Sequence, residues 1–271
     1  MTSSALLNGK RGVVLGVANQ KSIAWSCALQ AAQQGAQLAF NYLGPAQEKR
    51  VRELVGQAGL NSPMFPCDLG QDTEIESFFS QISKIWDNID FIIHSVAFTE
   101  KDCLKNPFIQ TSRENFLKTM DISAYSLVSV CQYAQPLLKS GSSVVCMTYY
   151  GAEKVVPHYN VMGVAKAALE ACTRYLAHDL GPKGIRVNAV SAGPIKTLSA
   201  SAIPGFKSML ENGQRGSPLK RNVTSEDIAQ STLYLISHLS SGVTAEVHHV
   251  DCGYHSVGAF LSEESSSGEP C

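Results

Sequence analysis

Two pairs of tyrosine and lysine lie in the stretch YYGAEKVVPHYNVMGVAK, which runs from Tyr149 to Lys166. Tyr150 and Lys154 form a Tyr-x3-Lys pair, whereas Tyr159 and Lys166 form a Tyr-x6-Lys pair. A tyrosine hydroxyl can donate a proton or a hydrogen bond to a developing oxyanion, and a nearby cation lowers its pKa from about 10. Either pair could therefore stabilise such an oxyanion, and the local structure of each decides which one can.

The first pair, Tyr150 and Lys154, is predicted to lie in a loop that leaves a strand. Gly151 follows the tyrosine directly, two β-branched valines follow the lysine, and Pro157 prevents a helix from continuing. A spacing of four positions aligns two side chains only on a helix. This pair therefore has no predicted geometry that would support joint chemistry.

The second pair, Tyr159 and Lys166, is predicted to share a helix. The segment contains good helix formers, AKAALE, and is bounded by Pro157 before it and Gly181 after it. Seven residues at about 3.6 per turn return to nearly the same face, with about 10 Å of axial rise. The lysine could then lower the pKa of the tyrosine while both face one cofactor. On spacing alone, a capping tyrosine and a solvated surface lysine remain the alternative.

Short apolar runs alternate with helix-length amphipathic segments along the chain. The runs are nearly continuous in their apolar pattern, which is typical of strands buried on both faces. There are seven of them: RGVVLGVA, AQLAFNY, SPMFPCDL, DFIIHSVAF, SSVVCMTY, IRVNAVSAG and EVHHVDCG. The pattern predicts an α/β fold, with one doubly wound, Rossmann-like, seven-stranded parallel sheet and helices on both of its faces.

The predicted domain spans residues 1–260, since no linker divides the chain. Within it, the connection over about 194–218 is far longer than the usual connection of about 4–6 residues. This length is typical of a mobile lid that covers a functional site. The remaining segment, 261–271, is LSEESSSGEPC. Because it has little apolar surface to bury, we expect it to be a disordered tail.

The charge balance and the cysteines limit the classes of function that this chain can have. The 22 basic and 23 acidic side chains give a pI near 6.6, so nucleic acid and membrane surfaces are not expected partners. No apolar run is long enough to span a membrane, and MTSSALLNGKRG lacks the apolar core of a secretory signal. The eight cysteines are scattered singly, as in reduced cytoplasmic proteins. His248 and His249 should point to opposite faces of a strand, so we expect no metal site.

A nucleotide site is predicted at the first strand–helix turn, GVANQKSIA. Gly16 is the only glycine between strand and helix, so the motif alone is more typical of a plain turn and cap than of a phosphate site. Its position favours phosphate binding, because the N–H groups at a helix start attract anions. The segment after the second strand, AFNYLGP, has neither an acidic residue nor an arginine. The nearest cations, Lys49 and Arg50, come later, which favours NADH over NADPH.

Five stretches resemble a known family when they are taken together. GVANQKSIAW, CDL, HSVAF, TYYGAEKVVPHYNVMGVAKAALEA and GPKGIRVNAVSAGPIKTLSAS are similar to the bacterial, NADH-dependent enoyl-acyl-carrier-protein reductases of the short-chain dehydrogenase/reductase superfamily. The resemblance runs from about Gly9 to Phe260. Its most specific element is Tyr-x6-Lys preceded by Tyr149, whereas ordinary carbonyl reductases of the superfamily carry a serine near that place and use Tyr-x3-Lys.

The resemblance implies that the chain reduces the trans-2 double bond of enoyl thioesters during fatty acid elongation. The implied partners are an acyl carrier protein and, in a homotetramer, further copies of the chain. Tyr159 would hydrogen-bond the thioester carbonyl, Lys166 would hold the nicotinamide ribose, and Tyr149 would line the substrate pocket. The other implied contacts to the cofactor are Gly16, Ser22 and Ile23 at the pyrophosphate, Asp68 and Leu69 at the adenine, Ser95, Val96 and Ala97 at the adenosine ribose, and Ile195 at the carboxamide.

The chain departs from the family pattern at two positions, and two alternative functions compete with the implied one. Leu43 stands where many members carry a glutamine that contacts the adenosine, and Ala97 stands where some carry glycine. A related reductase of ketones or of coenzyme A thioesters is one alternative function. A nicotinamide-binding regulatory module without catalysis is the other.

Overall fold

A computed structural model describes residues 5–197, 200 and 203–258 of the chain. Its centre is a seven-stranded sheet in the order β3-β2-β1-β4-β5-β6-β7, in which all neighbouring strands are parallel. The strands are β1 (Arg11–Leu15), β2 (Gln37–Tyr42), β3 (Met64–Pro66), β4 (Ile89–His94), β5 (Leu138–Thr148), β6 (Arg186–Ala192) and β7 (Val247–Val250). The prediction of a seven-stranded, doubly wound parallel sheet is confirmed.

Helices cover both faces of this sheet. The α-helices in the described part of the chain are α1 (Ile23–Gln33), α2 (Pro45–Gln57), α3 (Asp72–Ser83), α4 (Lys101–Lys105), α5 (Arg113–Met120), α6 (Ser126–Ala134), α7 (Val161–Leu180), α8 (Phe206–Gly216) and α9 (Ser225–Ile236). One apolar core forms between the sheet and α3, α6 and α7, and a second forms between the sheet and α1, α2 and α9. Alternate strand residues enter the two cores, which explains why the strands are apolar without interruption.

The helical segment that begins at Arg113 changes its pitch twice before β5. A π-helical stretch, Asp121–Tyr125, separates α5 from α6, and a 3₁₀ turn, Gln135–Leu137, ends the segment. The hydroxyl of Ser123 in the π stretch donates to the carbonyl oxygen of Phe98 at 2.9 Å and accepts from the N–H of the same residue at 2.9 Å. The wider turn thereby ties this helical segment to the chain that leaves β4.

The strand order reverses between β1 and β4, where a crevice opens at the carboxyl ends of the strands. The residues singled out in the sequence follow β1, β3, β4, β5 and β6, so the sheet delivers them to this one edge. No helix in the described part of the chain has both the length and the apolar character needed to cross a membrane. The boundary predicted at residue 260 and the tail 261–271 lie outside the described residues.

Candidate active site

Tyr149 and Tyr150 lie where β5 ends. Tyr149 follows the last strand residue, and Tyr150 begins a single 3₁₀ turn that ends at Ala152. Lys154 is exposed beyond this turn. The ring of Tyr150 packs at right angles against Tyr254, with the centroids 5.8 Å apart. Tyr150 and Lys154 share no α-helix, which confirms the prediction that this pair lacks a common helical face.

Tyr159 lies in a turn immediately before α7. His158 and Asn160, the residues on either side of it, have φ angles of 66° and 45°, and the helix begins only at Val161. The prediction that Tyr159 and Lys166 share the helix is therefore wrong for the tyrosine. A positive φ on both sides of Tyr159 is incompatible with a right-handed helix through this residue.

The rings of Tyr149 and Tyr159 meet edge to face, with the centroids 4.9 Å apart and the planes at 76°. Tyr159 is only 9% exposed and packs in a small apolar cluster with Leu104 and Met162. Gly151 leaves room for this ring, because a Cβ at Gly151 would lie 2.5 Å from Cδ1 of Tyr159. The two tyrosines thus form one packed unit between the end of β5 and the start of α7.

Burial raises the pKa of both phenols well above the ordinary value. For Tyr159 the second cause is the neighbouring hydroxyl of Tyr149. The expectation that Lys166 lowers the pKa of Tyr159 is therefore wrong, because desolvation of the phenolate dominates at this buried position. At neutral pH Tyr159 keeps its proton and can act as a hydrogen-bond donor.

Lys166 lies within α7 and is buried, with 5% of its surface exposed, so it is not a solvated surface lysine. Its Nζ donates a hydrogen bond to the carbonyl oxygen of Met147 on β5 at 2.7 Å. Burial lowers the pKa of Lys166 to about 8, while Cys146 and Glu170 act in the opposite direction. An ammonium group has three donors, so the bond to Met147 leaves capacity for a further acceptor.

A buried histidine, which the sequence analysis missed, lies at the end of β4 under the same site. His94 Nε2 is 2.9 Å from Oγ of Ser126, and that hydroxyl donates its own proton to the carbonyl oxygen of Ile122. His94 Nε2 must then carry the ring proton, which leaves Nδ1 as a buried acceptor without a partner among the described residues. Burial, together with the charge of Lys166, lowers the pKa of His94 to about 3, so the ring is neutral.

A buried carboxyl group supports the end of β5. Glu170, one turn after Lys166 on α7, accepts a hydrogen bond from the hydroxyl of Thr148 at 2.7 Å. Burial raises the pKa of Glu170, and the bond from Thr148 opposes this shift. Thr148 directly precedes Tyr149, so this contact anchors the strand end that carries the tyrosine pair to α7.

The first strand–helix turn contains Gly16, Ser22 and Ile23. The hydroxyl oxygen of Ser22 accepts hydrogen bonds from the N–H groups of Ala18 and Asn19 at 3.1 and 2.9 Å. Ser22 therefore holds the turn together and does not cap α1. Its side chain leaves the positive end of the helix dipole uncapped at the crevice, as an anionic ligand requires.

Two side chains that the sequence analysis missed position this turn. Asn41 at the end of β2 accepts a hydrogen bond from the N–H of Gly16 at 3.1 Å and donates one to the carbonyl oxygen of Cys67 at 3.1 Å. Gln47 on α2 donates to the carbonyl oxygen of Val17 at 2.7 Å. The ends of β1, β2 and β3 are thus linked by side chains, and not only by the strand ladder.

The segment after β4 packs directly beneath the first turn. Gly16 has a φ of 95°, and a Cβ at this position would lie 2.2 Å from the carbonyl oxygen of Ser95 and 3.1 Å from Cγ2 of Val96. Only glycine fits here, both by backbone angle and by space. Ala97 follows as an exposed residue. The structure therefore brings the residues predicted for the pyrophosphate and for the adenosine ribose into contact.

The remaining predicted residues lie on the same edge of the sheet. Asp68 and Leu69 follow β3, where the Asp68 carboxylate accepts a hydrogen bond from the N–H of Gly70 at 2.9 Å and Leu69 is buried. Ile195 follows β6 and packs in the same apolar core as Ile23. No contact in the described structure joins Asp68 or Leu69 to the tyrosine pair, as expected for residues that would serve opposite ends of a long cofactor.

The long connection after β6 contains a helix that the sequence analysis did not predict. Its signal was present in the sequence, since Phe206, Met209 and Leu210 repeat at helical spacing within α8. The hydroxyl of Tyr149 donates to the sulfur of Met209 at 3.5 Å. The α8 helix therefore contacts the tyrosine pair through Tyr149, while residues 198–199 and 201–202 lie outside the described part of the chain.

The described residues contain no group of three or more His, Cys, Asp and Glu side chains placed to hold a metal ion. His249 Nε2 lies 2.6 Å from Oε1 of Glu153, while the ring of His248 lies beside Tyr234. The two adjacent histidines thus have different neighbours, in agreement with their predicted opposite directions.

Comparison with known proteins identifies the family. A family model described as "Enoyl-(Acyl carrier protein) reductase" matches residues 16–255. The chain belongs to this family. It is 53% identical over 256 residues to an enoyl-[acyl-carrier-protein] reductase [NADH] of Rhizobium meliloti, a match that covers 94% of each chain.

Two solved structures of the enoyl-acyl-carrier-protein reductase family share the fold of this chain. An enzyme from Anaplasma phagocytophilum, in complex with NAD, is 45% identical with a TM-score of 0.91, over 97% of this chain and 98% of that one. An enzyme from Bacillus cereus, with NADP+ and an indole naphthyridinone, is 46% identical with a TM-score of 0.92, over 94% and 99% of the two chains.

Proposed function

We propose that this chain reduces the trans-2 double bond of enoyl thioesters borne by an acyl carrier protein, with NADH as the reductant, in fatty acid elongation. The observation that carries the proposal is the packed pair of half-buried Tyr149 and buried Tyr159 at the carboxyl edge of the sheet, followed by buried Lys166 on α7. This arrangement occurs within a match to the family model that covers residues 16–255.

The chemistry follows from the protonated phenol. When NADH is bound it supplies the hydride, which adds to the β-carbon of the substrate and leaves negative charge on the thioester oxygen. Tyr159, whose pKa is raised, holds its proton and donates a hydrogen bond to that oxygen as the charge develops. Tyr149 packs against Tyr159 and lines the pocket, which excludes water from the oxyanion.

The residues at the crevice fit a dinucleotide. The uncapped start of α1 and the small-residue turn at Gly16 and Ser22 would hold the pyrophosphate. Asp68 and Leu69 would flank the adenine, and the segment 95–97 would pass beneath the adenosine ribose. Lys166, with donors free beyond its bond to Met147, would hold the nicotinamide ribose. These assignments follow the family pattern, position by position.

NADH is preferred because no basic side chain directly follows β2. Leu43 is exposed there, Gly44 and Pro45 follow it, and α2 begins at once. Arg50 lies further along α2 and uses its Nε to bond the carbonyl oxygen of Ala46. A 2′-phosphate needs a basic side chain at the end of β2.

The connection after β6 would serve as a lid that carries the binding surface for the carrier protein. The connection over 194–218 would open and close over the acyl chain, with α8 as its inner wall against Tyr149. The chain as a whole is close to neutral, so an acidic carrier protein would be attracted only by a local cluster of cations. Lys207 and Arg215 on α8 would form that cluster.

The assembly and the location are part of the same proposal. The chain would form a homotetramer, in which apolar side chains exposed on α5 and α7, among them Leu117, Val164 and Tyr175, become covered. Sedimentation equilibrium would measure its mass. A cytoplasmic location is supported by the unpaired cysteine thiols of the described residues, such as Cys27 and Cys131.

One assay separates the proposal from its alternatives. The purified protein is mixed with crotonyl-coenzyme A or with a crotonyl carrier protein, and the oxidation of NADH or NADPH is followed together with the mass of the product. We expect a saturated butyryl thioester, one NADH consumed per product, and a kcat/KM at least about tenfold higher with NADH. A regulatory module would bind NADH without turnover, and a carbonyl reductase would reduce a ketone and leave the enoyl thioester unchanged.

A further inference from the structure

The turn that carries Tyr159 has an unusual backbone. His158 has a φ of 66°, and Asn160 combines a φ of 45° with a ψ of −125°. Asparagine tolerates the left-handed helical region, in which ψ is positive, but this ψ lies outside it. A conformation of this kind persists only where surrounding contacts enforce it, and such residues cluster at active sites.

The contact that enforces it is the side-chain amide of Asn160. Its Nδ2 donates one hydrogen bond to the carbonyl oxygen of Cys103 at 2.9 Å and another to that of Asn106 at 3.0 Å. Both carbonyls lie at the end of α4, where a helix leaves its last acceptors without intrahelical partners. Both N–H groups of one amide are thus used to join the Tyr159 turn to α4.

The Tyr159 ring contacts elements on both ends of this bridge. Leu104 of α4 packs in the same apolar cluster as Tyr159 and Met162. The backbone at Gly151 approaches the ring so closely that no Cβ would fit. The ring therefore packs against the chain that leaves β5 and in a cluster that includes α4, the helix to which Asn160 is bonded.

We propose that Asn160 is a positioning residue for the reduction: its amide clamps the Tyr159 turn to α4 and thereby aims the phenol hydroxyl at the thioester oxygen. The inference rests on the proposed reductase function. A donor that is displaced or free to rotate stabilises the developing oxyanion less, because its orientation must then be set during the reaction. Binding of the cofactor depends on other elements, chiefly the first turn and Lys166.

Two variants separate the amide from the backbone. Asn160→Asp keeps the size of the side chain and removes both N–H donors, placing carboxylate oxygens against two carbonyl oxygens. Asn160→Gly removes the side chain but readily adopts the observed φ and ψ. His158→Gly is the matched control, since His158 is exposed, also has a positive φ, flanks the same tyrosine and makes no side-chain hydrogen bond in the described structure.

The measurements are kcat and KM for crotonyl-coenzyme A, the Kd for NADH by fluorescence, and the melting temperature. We expect both Asn160 variants to lower kcat by about tenfold, which corresponds to about 1.4 kcal/mol of transition-state stabilisation. The Kd for NADH should stay within about twofold, and His158→Gly should keep the wild-type kcat. A purely structural role for Asn160 would change the melting temperature and leave kcat intact.

Wild-type kcat in both Asn160 variants would overturn the inference, provided that Tyr159→Phe is impaired in the same assay. An equal loss of kcat in Asn160→Gly and His158→Gly would also overturn it, since the backbone and not the amide would then matter. If Asn160→Asp does not fold, Asn160→Gly decides alone, because glycine fits this backbone. Absence of enoyl reduction by the wild-type protein would instead refute the proposed function, and this role with it.

Discussion

The ring of Tyr159 lies so close to the backbone of Gly151 that a Cβ on the glycine would be 2.5 Å from Cδ1 and 2.9 Å from Cε1 of the tyrosine. The ring of Tyr159, which precedes α7, therefore packs directly against the chain that leaves β5. Tyr149 packs against the same ring edge to face. The position of the phenol depends on these contacts, and a single added methyl group can test it.

Gly151→Ala is expected to lower kcat for an enoyl thioester by about tenfold and to destabilise the fold by about 1–3 kcal/mol, the usual cost of overpacking. The ring of Tyr159 must move to accommodate the new methyl group. Steady-state kinetics and urea denaturation measure the two effects. Gly242→Ala is the matched control, because nothing lies within 4 Å of a Cβ built there. Normal kcat in Gly151→Ala would show that the tyrosine tolerates displacement.

Burial of Lys166 predicts a pH-dependent stability. Folding lowers its pKa from 10.5 to about 8. Below about pH 8 the lysine is protonated in both states, so its contribution to stability is constant. Between about pH 8 and 10.5 the unfolded chain binds this proton and the folded chain does not. The contribution of Lys166 to the free energy of unfolding therefore rises with pH, by up to about 1.4 kcal/mol per pH unit.

Comparison with Lys166→Met isolates this effect. Buried thiols and tyrosines, whose pKa values are raised, act in the opposite sense at alkaline pH in both proteins. The free energy of unfolding of the wild type minus that of the variant should therefore increase from pH 8 to pH 10. A difference that stays constant over this range would mean that Lys166 titrates as in the unfolded chain.

Charge reversal on α8 tests the proposed docking of the carrier. The Lys207 side chain is 91% exposed and lies 3.9 Å from Glu211, while Arg215 bonds only the neutral side chain of Asn212 at 3.2 Å among the contacts described. Lys207→Glu combined with Arg215→Glu should raise the KM for a carrier-linked enoyl substrate by about tenfold at low salt.

The same enoyl group on coenzyme A is the control for this prediction. Its KM should change by less than about twofold, because it lacks the acidic carrier surface. The effect on the carrier substrate should shrink as salt is added. If both substrates are affected equally at every salt concentration, α8 contacts the acyl chain and not the carrier.

The sequence predicted the sheet and the edge that holds the site because both depend on local patterns. Seven continuous apolar runs marked the strands, and the residues following them necessarily meet at one edge of a parallel sheet. The choice of Tyr159 over Tyr150 depended on Pro157 and Gly151, which exclude a helix through the first pair. The residues implied by the family resemblance, from Gly16 to Ile195, all lie at this edge.

What the sequence did not predict depends on distant contacts. The start of α7 shifts to Val161 because Asn160 bonds α4, more than fifty positions away in the sequence. The raised pKa of Tyr159 follows from burial by Leu104 and Met162, which no local pattern reveals. Asn41 and His94 each read as ordinary strand-end residues, and their roles become visible only through the partners that the fold brings to them.

The α8 helix was missed for a different reason. Proline and glycine on both sides of it suggested an irregular connection, although Phe206, Met209 and Leu210 repeat at helical spacing. A search for short periodic segments inside long connections would have found it.

The most direct test of the account compares Tyr159→Phe with Tyr150→Phe on crotonyl-coenzyme A and NADH. Both changes remove one hydroxyl group and keep the ring, so packing against Tyr149 or Tyr254 is preserved. The account predicts that Tyr159→Phe lowers kcat by about 10²-fold or more, as expected for loss of an oxyanion donor, while Tyr150→Phe keeps kcat within about twofold. Equal losses in the two variants, or normal turnover in Tyr159→Phe, would contradict it.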